Sequence, residues 1–118
     1  MSTTATRILP EDLRSVAFGV IGVGYTPVGV PLLFPSVLMT FTNATDEGVI
    51  FSFDGVNDHI FINDGITGTF NFSSNKVNER GLFIANNTTI YVKQGSGGAP
   101  TSGAVYVSSF YAYPGTGS

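Results

Sequence analysis

"SVLMTFTNATDEGVIFSFDGVNDHIFIND", residues 36–64, alternates apolar and polar side chains three times, and each alternation stops at a turn signal. Val37, Met39 and Phe41 share one face of the first run, and Val49, Phe51 and Phe53 one face of the second. In the third, Ile60 and Ile62 alternate with His59 and Phe61. A period of two marks a strand with one buried face, because successive Cβ atoms point to opposite sides. Asp46-Glu47-Gly48, Asp54-Gly55 and Asp64-Gly65 separate or close the runs, as hairpin turns require.

The same pattern continues on both sides. "TGTFNFS" (67–73) turns Phe70 and Phe72 inward, and "LFIA", "TTIYVKQ" and "AVYVSSFYA" follow, with Asn86-Asn87 as a turn. Phe18 and Phe83 read as further core residues. Upstream, "SVAFGVIGVGY" (15–25) is strand-like but glycine-rich, and Pro27, Pro31 and Pro35 confine "TPVGVPLLFP" to an edge or an extended connection. Short strands at regular spacing without a helix predict an all-β chain, a single antiparallel β-sandwich of jelly-roll or Ig-like type over residues 15–113. Residues 1–14 are expected as a flexible, extended N-terminal arm with one helical turn at "PEDLR", and residues 114–118 as a flexible tail. The loop "QGSGGAPTSG" (94–103) is expected to be mobile or ordered by a partner.

Composition narrows the function. Charged residues make up 11% of the chain, less than half the usual ~25%. Large buried interfaces explain such a deficit, and so does a surface rich in Thr, Ser and Asn. The net charge of −3 and the scatter of five basic residues argue against nucleic acid. The uncharged run from Ser15 to Thr45 is broken by four glycines and three prolines, so no membrane helix fits it. Glu11 and Asp12 stand where a leader would be basic, and the chain is read as soluble, without a cleaved leader. The lack of cysteine removes disulfides, thiolate zinc sites and thiol nucleophiles.

Candidate chemistry is thin. Asp54, Asn57, Asp58 and Asp64 supply oxygen ligands for Ca²⁺, but not at the spacing of a helix-flanked calcium loop. The turn reading of "DGVND" is preferred, and no metal or cofactor is expected. His59 is the sole candidate base, and on a strand its neighbour Asp58 would face away from it. "GVGYTPVG" lacks the register of a phosphate-binding loop. The sequons at Asn43, Asn71, Asn86 and Asn87 matter only in a secreted chain. Near the C-terminus, Tyr111 or Tyr113 could face outward to stack on a sugar or anchor a protein.

"FTNATDEGVIFSFDGVNDHIFI", "TTIYVKQ" and "APTSGAVYVSSFY" resemble small virion proteins of tailed bacteriophages, over roughly residues 36–112. The shared features are an N-x-T-D turn, an S-F-D-G hairpin, an I-Y-V-K strand and a P-T-S-G-x-V-Y-V-S ending. The resemblance implies an all-β, non-enzymatic virion component on the capsid surface or at the head–tail junction, assembled in the host cytoplasm. Its implied partners are copies of itself, as a homo-oligomer in the particle, and capsid, portal or tail proteins. Interface residues expected from low charge and loop chemistry are Leu13, Val16, Phe18, Val30, Leu32, Leu33, Phe34, Gly98, Pro100, Thr101, Tyr111 and Tyr113. The alternative is a carbohydrate-binding module using Tyr111, Tyr113 and the Asp54–Asp64 loop, with an enzyme built on His59 a distant third.

Overall fold

The computed structural model describes residues 6–71, 84–85 and 87–114. These residues form nine strands: β1 (Thr6–Pro10), β2 (Arg14–Ala17), β3 (Thr26–Pro27), β4 (Ser36–Asn43), β5 (Val49–Ser52), β6 (Ile60–Ile62), β7 (Thr67–Asn71), β8 (Tyr91–Gln94) and β9 (Ala104–Pro114). Phe18–Val20 makes a 3-10 turn, and there is no α-helix among the described residues. One sheet runs β1-β9-β4-β7 with β2 also on β9, and the other runs β3-β8-β5-β6. Every pairing is antiparallel, and the pairings nest. β1 and β2 pair with β9, β3 with β8, β4 with β7, and β5 with β6. Lateral contacts of β4 with β9 and of β5 with β8 assemble these pairs into two sheets.

The two inner faces share one core. Met39 and Phe41 of β4 and Val105 and Val107 of β9 meet Val49 and Phe51 of β5, Ile62 of β6 and Val92 of β8, all buried. Phe41 sits at the centre, 5.0 Å from Phe51 across the layers and edge-on to Phe70 at 5.6 Å and Phe53 at 6.1 Å. The alternation read from the sequence is therefore the packing of the core, with one shift. A bulge between Ser36 and Leu38 turns both Ser36 and Met39 inward and leaves Val37 half-buried. Val28 and Leu32, from the proline-rich connection, and Ile90 are also fully buried.

Asn43 ties two turns together from inside. Its amide donates to the Glu47 carbonyl at 2.7 Å and the Ile62 carbonyl at 3.0 Å, while its side-chain oxygen accepts from Thr45 N–H at 3.0 Å. Its own backbone bonds the β6–β7 turn, donating to Ile66 at 3.0 Å and accepting from Gly65 at 2.8 Å. Close by, Gly103 adopts φ +88°, and a Cβ there would lie 1.9 Å from the Ala44 carbonyl oxygen, so only glycine fits.

The N-terminal segment departs from the expected arm. Thr6–Pro10 pairs with β9 as β1, Arg14–Ala17 does so as β2, and no helical turn forms at residues 10–14. Three residues, 11–13, oppose two on β9, and this bulge separates one edge strand into two. The "PEDLR" pattern misleads because Glu11 and Arg14 pair across a strand break, not along a helix. β3 lies at a sheet edge, as the prolines predict. Phe72 and Phe83 lie outside the described residues.

Replacing Asn43 with Ala removes the side-chain partner of the Ile62 carbonyl and of the Thr45 N–H, while the Thr45 hydroxyl keeps its bond to the Glu47 carbonyl. The expected loss is roughly 2–4 kcal/mol, since each unsatisfied buried group costs about 1–3 kcal/mol. Urea unfolding should show a lower midpoint with an unchanged m-value.

Candidate functional site

The "DGVND" stretch serves itself. Asp54 Oδ1 accepts from the Val56 and Asn57 N–H groups at 2.8 and 2.9 Å and from the Ser52 hydroxyl at 2.9 Å. Its Oδ2 accepts from the Asn57 amide at 2.9 Å. These donors, Asn57 and Val56 first, hold the Asp54 carboxyl far below the usual range. His59 Nδ1 accepts from the Phe53 N–H at 3.0 Å, leaving the ring proton on Nε2, 4.0 Å from Asp54. Both groups are thus engaged in closing the β5–β6 connection. Asp58 bonds Lys93 at 3.0 Å and accepts a hydrogen bond from the Tyr25 hydroxyl, with Lys93 over the Tyr25 ring at 4.7 Å. Burial, then Asp58, pushes the Tyr25 hydroxyl up to about 12. No group of three or more His, Asp or Glu side chains is placed to hold a metal among the described residues.

The glycine-rich loop is also fixed from within the chain. Asp46 accepts from the Thr101 N–H at 2.8 Å and from the Thr101 hydroxyl, which lowers its pKa. Pro100 is buried, Gly98 is half-buried at φ +111°, and Thr101 is exposed.

A groove of about 480 Å³ lies beside the break between β1 and β2. Pro10 to Ser15, Gly29, Val30, Leu33, Phe34 and Tyr111 line it. Its floor is a nearly inaccessible ion pair, Arg14 and Glu11, with side chains 4% and 3% exposed and 2.8 Å between Nη2 and Oε1. All five Arg14 N–H groups are used. Nε donates to Val30 O at 2.7 Å, Nη2 also to Pro31 O at 3.0 Å, and Nη1 to Ser109 Oγ at 3.0 Å and Asp12 O at 3.4 Å. Glu11 accepts in turn from Leu33 N–H at 3.1 Å and Phe34 N–H at 3.0 Å. Burial pushes the Glu11 carboxyl up, but Arg14 and these two N–H groups outweigh it and hold it below its ordinary value. Gly29, at φ +72°, makes room for the arginine stem, since a Cβ would come within 2.8 Å of Arg14 Cγ.

The walls are apolar and open. Leu13 is 60% exposed, Val30 61%, Leu33 68% and Phe34 42%, and Phe34 stacks on Tyr111 at 4.1 Å and 19°. Five residues expected at an interface (Leu13, Val30, Leu33, Phe34 and Tyr111) are thereby gathered around one groove. Phe18 is exposed outside its lining, whereas Val16 and Leu32 are core residues and carry no accessible surface for a partner. An uncharged stretch does not by itself reveal which residues face inward. Gly98, Pro100 and Thr101 lie in the separate loop, and Tyr113 is placed by its backbone on β9 beside β1. Sequence reasoning missed Arg14 and Glu11, whose signal was a pair of opposite charges just ahead of the uncharged run from Ser15 to Thr45.

Glu11→Gln leaves the buried guanidinium unbalanced and should cost roughly 3–5 kcal/mol at pH 7. Because folding lowers the Glu11 pKa, its contribution is present above the ordinary value of 4.5 and is lost as pH falls through the lower folded value. Urea midpoints measured from pH 7 to 3 should therefore differ between wild type and variant at neutral pH and converge in acid.

Compared with known proteins, the chain matches no family model, no curated protein and no solved structure.

Proposed function

We propose that this chain is a non-enzymatic structural component of a tailed-phage virion, assembling through subunit contacts on the capsid surface or at the head–tail junction. The observation that carries the reading is the groove. Four exposed apolar side chains converge over a floor whose two charges cancel, which is the chemistry of a surface completed by another protein.

The topology supports it. With β1 and β2 taken as one interrupted strand, the sheets run first-eighth-third-sixth and second-seventh-fourth-fifth. This order supports reading the sandwich as a jelly roll, an architecture found in viral capsid and lectin domains. The acidic groups a catalytic reading would use are bonded within the chain, Asp54 to its own loop, Asp46 to Thr101 and Asp58 to Lys93. The interrupted N-terminal strand then serves as the groove wall, with the sandwich behind it. Jelly rolls also include lectins, and a groove of this volume with Tyr111 in its lining favours glycan binding as the second reading.

Light scattering on the purified chain should give a defined oligomer, unchanged by EDTA. Leu33→Ser should lower the assembled mass while the melting transition stays in place, since truncating an exposed side chain changes stability by about 0.5 kcal/mol or less. A monomer whose melting temperature rises with an oligosaccharide or with calcium would replace this reading by the glycan one.

A further inference from the structure

We infer that the groove is filled by the segment 18–24 of a second copy of this chain, two copies exchanging Val20 and Val23 beside β2. The inference deepens the assembly reading and rests on it.

The floor of the groove decides what can fill it. Every Arg14 N–H and both Glu11 carboxylate oxygens are bonded within the chain, so the ion pair holds out no donor to a sugar or an acid. Asp12 is the exposed carboxylate of the lining and disfavours an acidic occupant. The walls are apolar. The matching occupant carries apolar side chains and no charge.

The chain carries such a segment at the other end of β2. Residues 18–24 are uncharged, and Val20 and Val23 are 59% and 81% exposed, on either side of the buried Ile21. The segment is held in place: Phe18 N–H donates to the Gly103 carbonyl at 3.0 Å, and the Gly22 carbonyl accepts from Gln94 N–H at 2.8 Å. Gly19, Gly22 and Gly24 stand apart from the other described glycines. None has positive φ, and a Cβ on any of them would meet nothing within 4 Å. Glycine costs chain entropy, so glycines with no use inside the chain suit the close approach of something outside it.

Position makes the second copy the partner. β2 has four residues, about 10 Å from Arg14 at the groove to Ala17 before the segment. Eleven large apolar side chains are exposed among the described residues. Seven of them lie in these two places, four in the groove lining and Phe18, Val20 and Val23 in the segment. Such a concentration marks an interaction surface. Two copies set antiparallel beside β2 bring the segment of each to the groove of the other, the self-complementary arrangement of an isologous contact. At about 480 Å³ the groove is of a size that encloses a small ligand, and so admits two valine side chains.

The chain contains no cysteine, so introduced thiols report chosen positions. Val23→Cys mixed with a size-tagged Leu33→Cys should form the mixed disulfide on mild oxidation about tenfold faster than Val56→Cys with the same partner, because the contact raises the local thiol concentration. Val56, 76% exposed and in neither surface, is the control. Val23→Asp sets a carboxylate against apolar walls and Asp12. It should shift the mass from light scattering toward one chain, with an unchanged circular-dichroism melt because the position is exposed. A mixed disulfide that forms no faster than the control, or a Val23→Asp variant with the wild-type mass, overturns the inference. If the wild type is then an oligomer that Leu33→Ser dissociates, the assembly reading stands and the groove has another occupant. A wild type that is monomeric at every concentration overturns the exchange as well.

Discussion

The buried Arg14–Glu11 pair is the contact on which the N-terminal third depends. Three prolines between residues 26 and 35 keep that segment out of a regular ladder, since each lacks a donor and fixes φ. Its peptide groups still need partners where they approach the core. Leu32 finds them in backbone, donating to Thr88 at 2.9 Å and accepting from Asn87 at 2.7 Å. Around it, the Val30 and Pro31 carbonyls take Arg14, and the Leu33 and Phe34 amides take Glu11. The ion pair thus replaces a missing strand. A buried pair of this kind is often no more stabilising than well-packed apolar residues. Its role here is placement: it fixes the segment's peptide groups with Leu32 inward and Leu33 outward.

The same device recurs on the surface, which accounts for a puzzle in the composition. Glu11, Asp46, Asp54 and Asp58 are four of the eight acidic residues, and each bonds a loop or a neighbouring strand. Asp46, Asp54 and Asp58 stay on the surface, held by these bonds. A chain with 11% charge that uses half its acids internally presents a polar but weakly charged surface, interrupted by apolar patches. Asp54 is the clearest case: four donors hold it as a carboxylate.

Much of the sandwich was legible because it rests on period two. Met39, Phe41, Val49, Phe51, Val92, Val105 and Val107 are buried where alternation puts them. Turn signals at Asp54-Gly55 and Asp64-Gly65 were equally plain, since both glycines adopt positive φ. The N-terminal strands were hidden for a physical reason. Glu11 and Arg14 stand three apart, a spacing at which a helix would also pair them, and Pro10 suits a helix start. Only β9, some ninety residues away, decides for the extended form. The glycine-rich loop likewise has a contact from far along the chain. Its tie to Asp46 spans 55 residues, and no local pattern encodes it. The groove was half legible: its walls followed from low charge, but its floor required knowing that residues 11, 14 and 109 meet.

Nesting also decides what the outside of the molecule can do. Because β1 and β2 return to β9 while β7 stays on β4, the first sheet has two unlike edges at opposite ends. One is closed by proline and a bulge and lies beside an apolar groove; the other, Thr67–Asn71, carries neither proline nor bulge. A single isologous contact stops at two copies, whereas growth into a ring or shell requires a second surface pointing elsewhere. Opposite edges of one rigid sheet meet that requirement without any flexible hinge. The bulge at residues 11–13 is then more than edge protection. By projecting Leu13 outward and burying Arg14 against Glu11, it turns what would have been a continuous edge strand into the wall and floor of the groove.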